Sequence, residues 1–341
     1  MKYEFTKIDW NHLDVTEFHS LPNKTVLTTK EWIDFIVEDS KANPYIIRIT
    51  QNKHFVGYFS ALIVSKFGIK ILGSPFPGWS TPFMGFDLKE GYVREDILEE
   101  LLPYVIEESG CLYIQISDRL FDFDRLEAIK KKLGIVISKS ETLELGIEGD
   151  DALQYKKMKT DCRNFIKQFE RRGAIIEEVQ PDDSFAEEYY QQLVDVLAKQ
   201  NLVPTYTVEK VKCLLKHLAV SNMVYCLRVK NPEEEKIASS IYPGYNKKMF
   251  FWGGASLRSN QHFRPNEYML YRAMSYWRNR GCVEFDMVGN RGYKKKFGSW
   301  EVYYPSITYA KYRWLIDAKS LAAKLYYFSG KVLWKLHINR H

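Results

Sequence analysis

Two distant stretches of the chain read alike. Gly110-Cys111-Leu112-Tyr113-Ile114-Gln115-Ile116-Ser117 answers Gly281-Cys282-Val283-Glu284-Phe285-Asp286-Met287-Val288. In each half the segment follows a helical pattern that stops at the glycine. Arg119 then answers Arg291, and Lys130-Lys131-Lys132-Leu133-Gly134 answers Lys294-Lys295-Lys296-Phe297-Gly298. Upstream, each half has a strand-like run ending in glycine: Leu72-Gly73-Ser74 and Trp252-Gly253-Gly254-Ala255-Ser256. The shared order of strands, Gly-rich loop, helix, Gly-Cys and strand predicts a duplicated α+β unit. A chain of 341 residues has room for two such units. The boundaries read as 1–150 and 151–316, followed by a basic amphipathic tail at 317–341.

Apolar spacing and turn residues predict the elements. Strands fall at Tyr45–Thr50, Phe55–Ser65 and Ile69–Leu72, and a Gly/Pro/aromatic loop runs from Gly73 to Gly85. Helices follow at Val93–Glu108 and Phe123–Leu133. In the second half, Met158, Cys162, Phe165, Ile166 and Phe169 recur at helical spacing and predict one helix over Leu153–Arg172. Further helices read as Ser184–Gln200, Thr207–Leu218 and Asn266–Arg280. Strands read as Val224–Val229, Ile237–Tyr242, Met249–Trp252, Cys282–Val288 and Val302–Tyr309.

Charge divides the halves. Residues 1–150 hold 17 basic against 24 acidic residues, net −7; residues 151–341 hold 32 against 19, net +13. The second half is therefore the side expected to meet an anionic partner. With 45% hydrophobic and 27% charged residues the composition is that of a folded protein, not a disordered one. No apolar run reaches the roughly 18 residues of a membrane span, and the N-terminal MKYEFTKIDW lacks a signal-peptide core. A cytoplasmic protein is expected. Cys111, Cys162, Cys213, Cys226 and Cys282 are odd in number, scattered and without a Cys-x-x-Cys pair. They read as buried free thiols, with no metal site.

The second half resembles the FemAB-type acyltransferases, a branch of the GNAT (N-acetyltransferase) superfamily built from two tandem GNAT-like domains. The likeness rests on Arg163-x-x-Ile166-Lys167 with Arg171-Arg172-Gly173, on Trp252-Gly253-Gly254-Ala255-Ser256, on Pro265 with its helix and Gly281…Phe285-Asp286…Gly289, and on Lys294-x-x-Phe297-Gly298. These patterns span roughly residues 155–310 and keep the family's order. The resemblance implies two GNAT-like domains, each a mixed, mostly antiparallel sheet flanked by helices. It implies acyl transfer to an amine, with an acyl-CoA as co-substrate and an amino sugar or envelope-glycan precursor, nucleotide- or lipid-linked, as acceptor. Other family members use charged tRNA to place amino acids on peptidoglycan precursors, which is the alternative. A non-catalytic module binding RNA, nucleotide or an anionic membrane is a third. The family's Arg/Gln-x-x-Gly-x-Gly/Ala pyrophosphate loop is absent as such: Arg278-Asn279-Arg280-Gly281-Cys282-Val283 keeps only its first spacing and lies at a helix end.

Acyl transfer to an amine needs a neutral nucleophile, a stabilised carbonyl oxygen and two aligned substrates. Lys294 matches the lysine that the family places at its transfer centre, where a cation offsets carbonyl charge. Asp286 either accepts a proton, orients the amine or caps the following turn. Trp252, Gly253, Gly254 and Ser256 mark the strand break where donor backbone contacts are expected, with Phe297 and Gly298 beside them. Arg163, Lys167 and Arg171, four apart on one helix, form a basic stripe that either clamps phosphates or is simply solvated. Pro75, Pro77, Trp79 and Phe83 form a stiff loop expected to touch the acceptor or to close the sheet. Glu267 reads as helix-dipole compensation, and His262 as a loop histidine.

In the tail, Leu321, Leu325, Phe328 and Val332 keep helical spacing among Lys324, Lys331 and Lys335. The segment either packs on the second half or lies on the inner membrane face, where each basic residue contributes about 1 kcal/mol near anionic lipid. Under the membrane reading, full-length protein sediments with anionic vesicles at low salt and a chain ending at Arg313 does not. Equal sedimentation of the two leaves the tail a packing element.

Overall fold

The computed structural model describes residues 2–66 and 68–319. The tail positions Leu321, Leu325, Phe328 and Val332 lie outside the described residues. The first half runs β1 (Glu4–Ile8), α1 (Val15–His19), α2 (Lys30–Ser40), β2 (Asn43–Gln51), β3 (His54–Lys66), β4 (Ile69–Ser74), β5 (Gly85–Leu88), α3 (Arg94–Ser109), β6 (Tyr113–Ser117), α4 (Phe123–Leu133) and β7 (Val136–Gly146). The second runs α5 (Asp151–Lys157), α6 (Thr160–Arg171), β8 (Ile175–Val179), α7 (Asp183–Ala198), α8 (Val208–Ala219), β9 (Val224–Lys230), β10 (Lys236–Tyr245), β11 (Lys248–Phe250), β12 (Gly253–Ser256), α9 (Pro265–Arg278), β13 (Glu284–Asp286) and β14 (Trp300–Ala310). Gly110 and Gly134 end α3 and α4 at φ 68° and 69°, a left-handed cap that glycine adopts without Cβ strain.

The predicted tandem α+β architecture is present, and the two halves share one sheet. Its order is β1-β2-β3-β4-β6-β14-β7-β13-β11-β10-β9-β8, with β5 added on β3 and β12 on β10. The last strand, β14, does not stay with its own half. It lies between β6 and β7, pairing Ser306–Ala310 with Tyr113–Ser117 and Trp300–Thr308 with Val136–Glu144. In exchange, the end of β7 pairs Glu144–Gly146 with Glu284–Asp286 of β13. A cut at residue 150 therefore separates neither sheet cleanly. One core is centred on each half, with Leu143, Leu145 and Ile147 entering the second half's and Ile307 the first half's. A third spans both, joining Trp32, Phe35 and Phe83 to Leu214, Leu218 and Phe250.

The single helix expected over Leu153–Arg172 is two. Met158 and Lys159 are extended, with ψ 148° and 157°, and separate α5 from α6. The break has a cause on the facing turn: Lys159 N–H donates to Lys296 O at 2.8 Å. A Cβ on Gly298 would stand 2.6 Å from Lys157 O, so only glycine lets that turn seat against α5.

Ile307 of β14 is fully buried in the first half's core. Ile307→Ala should cost about 2–5 kcal/mol, as large-to-small core changes do. Because β14 is shared, the loss should appear in one cooperative denaturant transition reported equally by tryptophans of both halves. Separate transitions would show that the halves fold independently.

Candidate active site

The second half opens a slot in its sheet. β11 runs parallel to β13, pairing Lys248–Phe250 with Glu284–Asp286, and Phe251 N–H still reaches Asp286 O at 3.0 Å. The next residue turns away: Trp252 N–H donates to Ile241 O at 3.1 Å, and β12 pairs with β10 alone. Met249 faces Gly244 while Gly253 faces Ile241, so one strand spends an extra residue, a β-bulge. Beyond it, among the described residues, no backbone hydrogen bond joins Gly253–Ser256 to Met287–Asn290. Leu257 N–H donates to Ile237 O, so strand alternation turns the N–H groups of Gly254 and Ser256 away from β10 and toward the slot.

Each slot glycine has a reason. A Cβ on Gly253 would lie 2.2 Å from the Tyr189 hydroxyl, which in turn lies 2.7 Å from the Tyr206 hydroxyl. A Cβ on Gly254 would press to 3.1 Å on the Phe251 ring. Gly289, across the slot at φ 78°, has open space where its side chain would be.

The first half has the same layout with the slot closed. β4 runs parallel to β6, and the loop Pro75–Met84 takes the place of the bulge before β5. Met84 N–H then donates to Ser117 O at 2.9 Å, and Phe86 N–H to Asp118 Oδ2 at 2.8 Å. Asp118 is buried, accepts also from Leu120 N–H, and pairs with Arg94. In the sequence repeat Asp118 stands where the second half has Gly289.

The inserted loop faces the open slot. A cavity of about 330 Å³ is lined by Leu27, Trp32, Gly78, Ser80, Thr81 and Pro82 from the first half and by Phe250, Phe251, Trp252 and Val288 from the second. Of the loop residues singled out in the sequence, Trp79 and Phe83 are buried core. Their neighbours Gly78, Ser80, Thr81 and Pro82 form the wall, and Trp32 Nε1 holds Thr81 Oγ1 at 2.9 Å. A second cavity of about 490 Å³ touches Lys24, Asp87, Arg119, Lys248 and Glu284, whose charges pair within the protein.

Lys294 lies beneath the slot, not in it. It is buried, and its Nζ donates to Met287 O and, at 2.6 Å, to Val288 O. Desolvation, then the nearby Arg291, lower its pKa to about 8 against the pull of Asp286. Its ammonium thus pins the end of β13. Asp286 is fully buried: Oδ1 accepts from Thr142 Oγ1 at 2.6 Å and from Val288 N–H at 2.8 Å, while Oδ2 has no partner. Burial first, then Glu144, raise its pKa. Of the three roles open to it, the geometry is that of the turn cap.

Other expected residues are placed differently. Phe297 is fully buried in the second half's core and Gly298 packs on α5, so both build the turn and neither reaches the slot. Ser256 accepts from Asn266 Nδ2 at 2.9 Å at the start of α9. Arg163 donates to Met158 O at 3.1 Å and Lys156 O at 3.4 Å, ending α5 instead of waiting for phosphate. Lys167 and Arg171 are exposed on α6. Glu267 pairs with Lys296, and His262 is exposed. Burial pushes the Cys282 thiol up to about 12, which removes it as a nucleophile at neutral pH.

Residues not singled out in the sequence complete the site. Tyr189, Tyr206 and Trp252 form an aromatic group beside the bulge. Arg264 caps the N-terminus of α9, the helix that follows β12, and its guanidinium stacks on Phe165 of α6; Arg258 opens the short helical turn before it. No local spacing marks the tyrosines, because they come from α7 and the α7–α8 connection.

A sheet that splays at a bulge between two parallel strands, followed by a helix, in a duplicated chain with one slot open, defines a tandem GNAT acyltransferase. Residues 156–295 match the acetyltransferase (GNAT) domain family. The fold matches the crystal structure of FemX with TM-score 0.74 and 13% identity, over 92% of this chain and 99% of that one. It matches L-PGS from Bacillus licheniformis with TM-score 0.50 and 13% identity, over 87% and 95% of the two chains. A tandem GNAT protein from the clavulanic acid biosynthesis pathway aligns with TM-score 0.54 and 9% identity, over 90% and 98%. At these identities the likeness to solved structures is one of fold. No curated protein matches the sequence. Together they give the chain a tandem GNAT-type fold whose residues 156–295 form a GNAT acetyltransferase domain.

Lys294→Met removes both donors from two buried carbonyls and should cost about 1–3 kcal/mol. The cost should grow with pH. Because burial depresses the folded-state pKa from 10.5 to about 8, the unfolded chain binds more protons between those values, and wild-type stability from this group rises across that window. Denaturant unfolding at pH 7.5 and 9.5 measures both effects; a cost that shrinks with pH would contradict the assignment.

Proposed function

We propose that this protein is an N-acyltransferase whose donor enters the slot between β12 and β13, and whose acceptor amine, on a sugar or envelope-glycan precursor, occupies the cavity between the halves. The observation that carries the reading is the asymmetry of the repeat: Asp118 plugs one slot and Gly289 leaves the other open. With an acyl-CoA bound, the carbonyl to be attacked would lie along β12, where the Gly254 N–H faces the slot. A preorganised backbone donor of this kind offsets the charge that develops on the carbonyl oxygen, and losing one such donor typically costs about 10²–10³ in rate. Arg258, Arg264 and the N-terminus of α9 supply positive potential for donor phosphates. Lys294 and Asp286 act by fixing the Met287–Val288 backbone that forms the far wall.

No acid or histidine is among the residues lining the 330 Å³ cavity. The acceptor amine therefore passes its proton to water or to a group of its own substrate. Burial raises the pKa of Tyr189 and Tyr206, so both phenols stay protonated at neutral pH and neither offers a general base.

A second reading, amino-acid transfer from charged tRNA, is favoured by the exposed Lys167 and Arg171 on the basic half. Isothermal titration of the purified protein with acetyl-CoA, charged tRNA and a UDP-amino sugar separates the two. Under the first reading acetyl-CoA binds saturably, and Gly289→Asp abolishes that binding while Tm stays within a few degrees, since aspartate tolerates left-handed φ. Binding of charged tRNA with no response to acetyl-CoA would establish the second. Unchanged acetyl-CoA affinity in Gly289→Asp would remove the slot as the donor site.

A further inference from the structure

Helices α2 and α8 meet across the junction of the halves, and three side chains of ligand type converge there. Cys213 and His217 stand four residues apart on α8, so one helical turn puts both on the same face. Glu38 reaches them from the last turn of α2. One ligand atom from each, sulfur, ring nitrogen and carboxylate oxygen, lies within 4.8 Å of the others. Glu38 Oε2 is 2.8 Å from His217 Nε2. The Cys213 thiol is more than nine-tenths buried, and its one hydrogen-bond partner among the described residues is Phe35 O at 3.7 Å.

We infer that Glu38, Cys213 and His217 form a site for a divalent metal of the zinc class that clips the first half to the second. One thiolate, one imidazole and one carboxylate suit zinc, which takes sulfur, nitrogen and oxygen donors in tetrahedral geometry. Three protein ligands leave the fourth position to water, on the side where Glu38 is exposed. Contraction of the trio onto ordinary zinc–ligand distances needs only side-chain movement, because all three come from adjoining helix turns. The Lys216 ammonium now donates to both Glu38 oxygens, at 3.0 and 2.9 Å, on an exposed flexible stem. On binding, the metal takes its place and the thiol proton leaves to solvent. Among the charged groups nearby, Asp39 is engaged by Lys210 at 2.9 Å and stays outside the ligand set.

The site links α2, which carries the cavity residue Trp32, to α8 of the other half. Metal occupancy would therefore fix the spacing of the two walls of the proposed acceptor cavity.

The test is titration of the tag-free full-length protein with Co(II), followed by Zn(II). One equivalent of Co(II) should give a thiolate charge-transfer band and the visible bands of a tetrahedral ion, displaced by one equivalent of Zn(II). Zn(II) should raise Tm by several degrees. Cys213→Ser should abolish the charge-transfer band, and His217→Gln, at a half-buried surface position that tolerates the change, should weaken binding by about tenfold or more. Co(II) uptake without a thiolate band, or equal affinity in wild type and His217→Gln, would overturn the assignment and leave an ion pair beside a buried thiol.

Discussion

The exchange of β7 and β14 is the constraint on which the rest depends. β14 leaves the second half and hydrogen-bonds on both edges inside the first, and β7 carries three residues back to β13. Neither half can satisfy its strand edges alone, so the active geometry is a property of the pair. The exchange also delivers chemistry. Thr142 and Glu144 belong to β7 by sequence, yet Thr142 holds Asp286 and Glu144 pairs with Arg119 and with Lys248 at 2.9 Å. The floor of the second half's slot is thus fixed by side chains of the first.

Duplication followed by divergence explains why one chain carries two slots, one closed and one open. A bulged, splayed strand exposes backbone N–H and C=O groups, which cost free energy unless a ligand or the protein itself satisfies them. In the first half the protein satisfies them: Ser117 O, Asp118 and the Met84 and Phe86 amides close the gap. Where the second half has its bulge, the first has the ten-residue loop Pro75–Met84, which walls the neighbour's cavity. The closed slot is what allows the loop to serve the open one.

Much of this was legible in the sequence, and the limits have physical causes. The Gly-Cys strands, the glycine-ended helices and the Trp252–Ser256 break were readable because local chemistry fixes them. The two halves of the Leu153–Arg172 helix were not, since Met158 and Lys159 fit a helix until the Gly298 turn presses on α5. Strand exchange leaves no local mark; β14 reads as an ordinary last strand. Lys294 was legible as a residue, but its buried bonds to Met287 O and Val288 O were not, because a spacing pattern does not say where an ammonium points. Tyr189, Tyr206 and the Glu38–Cys213–His217 trio come from elements far apart in the chain, where no spacing rule applies.

The buried ions under the slot carry a final consequence. Lys294 and Asp286 sit within the wall of the slot, and both hydrogen-bond the backbone at Met287–Val288, with Thr142 holding Asp286 from the other side. Burying such groups is costly unless they are paired, and two hydrophobic residues would fill the space more cheaply. What charge-assisted bonds supply, and apolar packing does not, is direction: they hold particular carbonyl and amide groups at fixed angles. A slot that works through backbone donors needs its walls held in that way, because a donor shifted by about 1 Å loses much of its effect on the transition state. On the proposed reading, the ions beneath the slot support its backbone donors, and the reacting groups are brought by the substrates themselves.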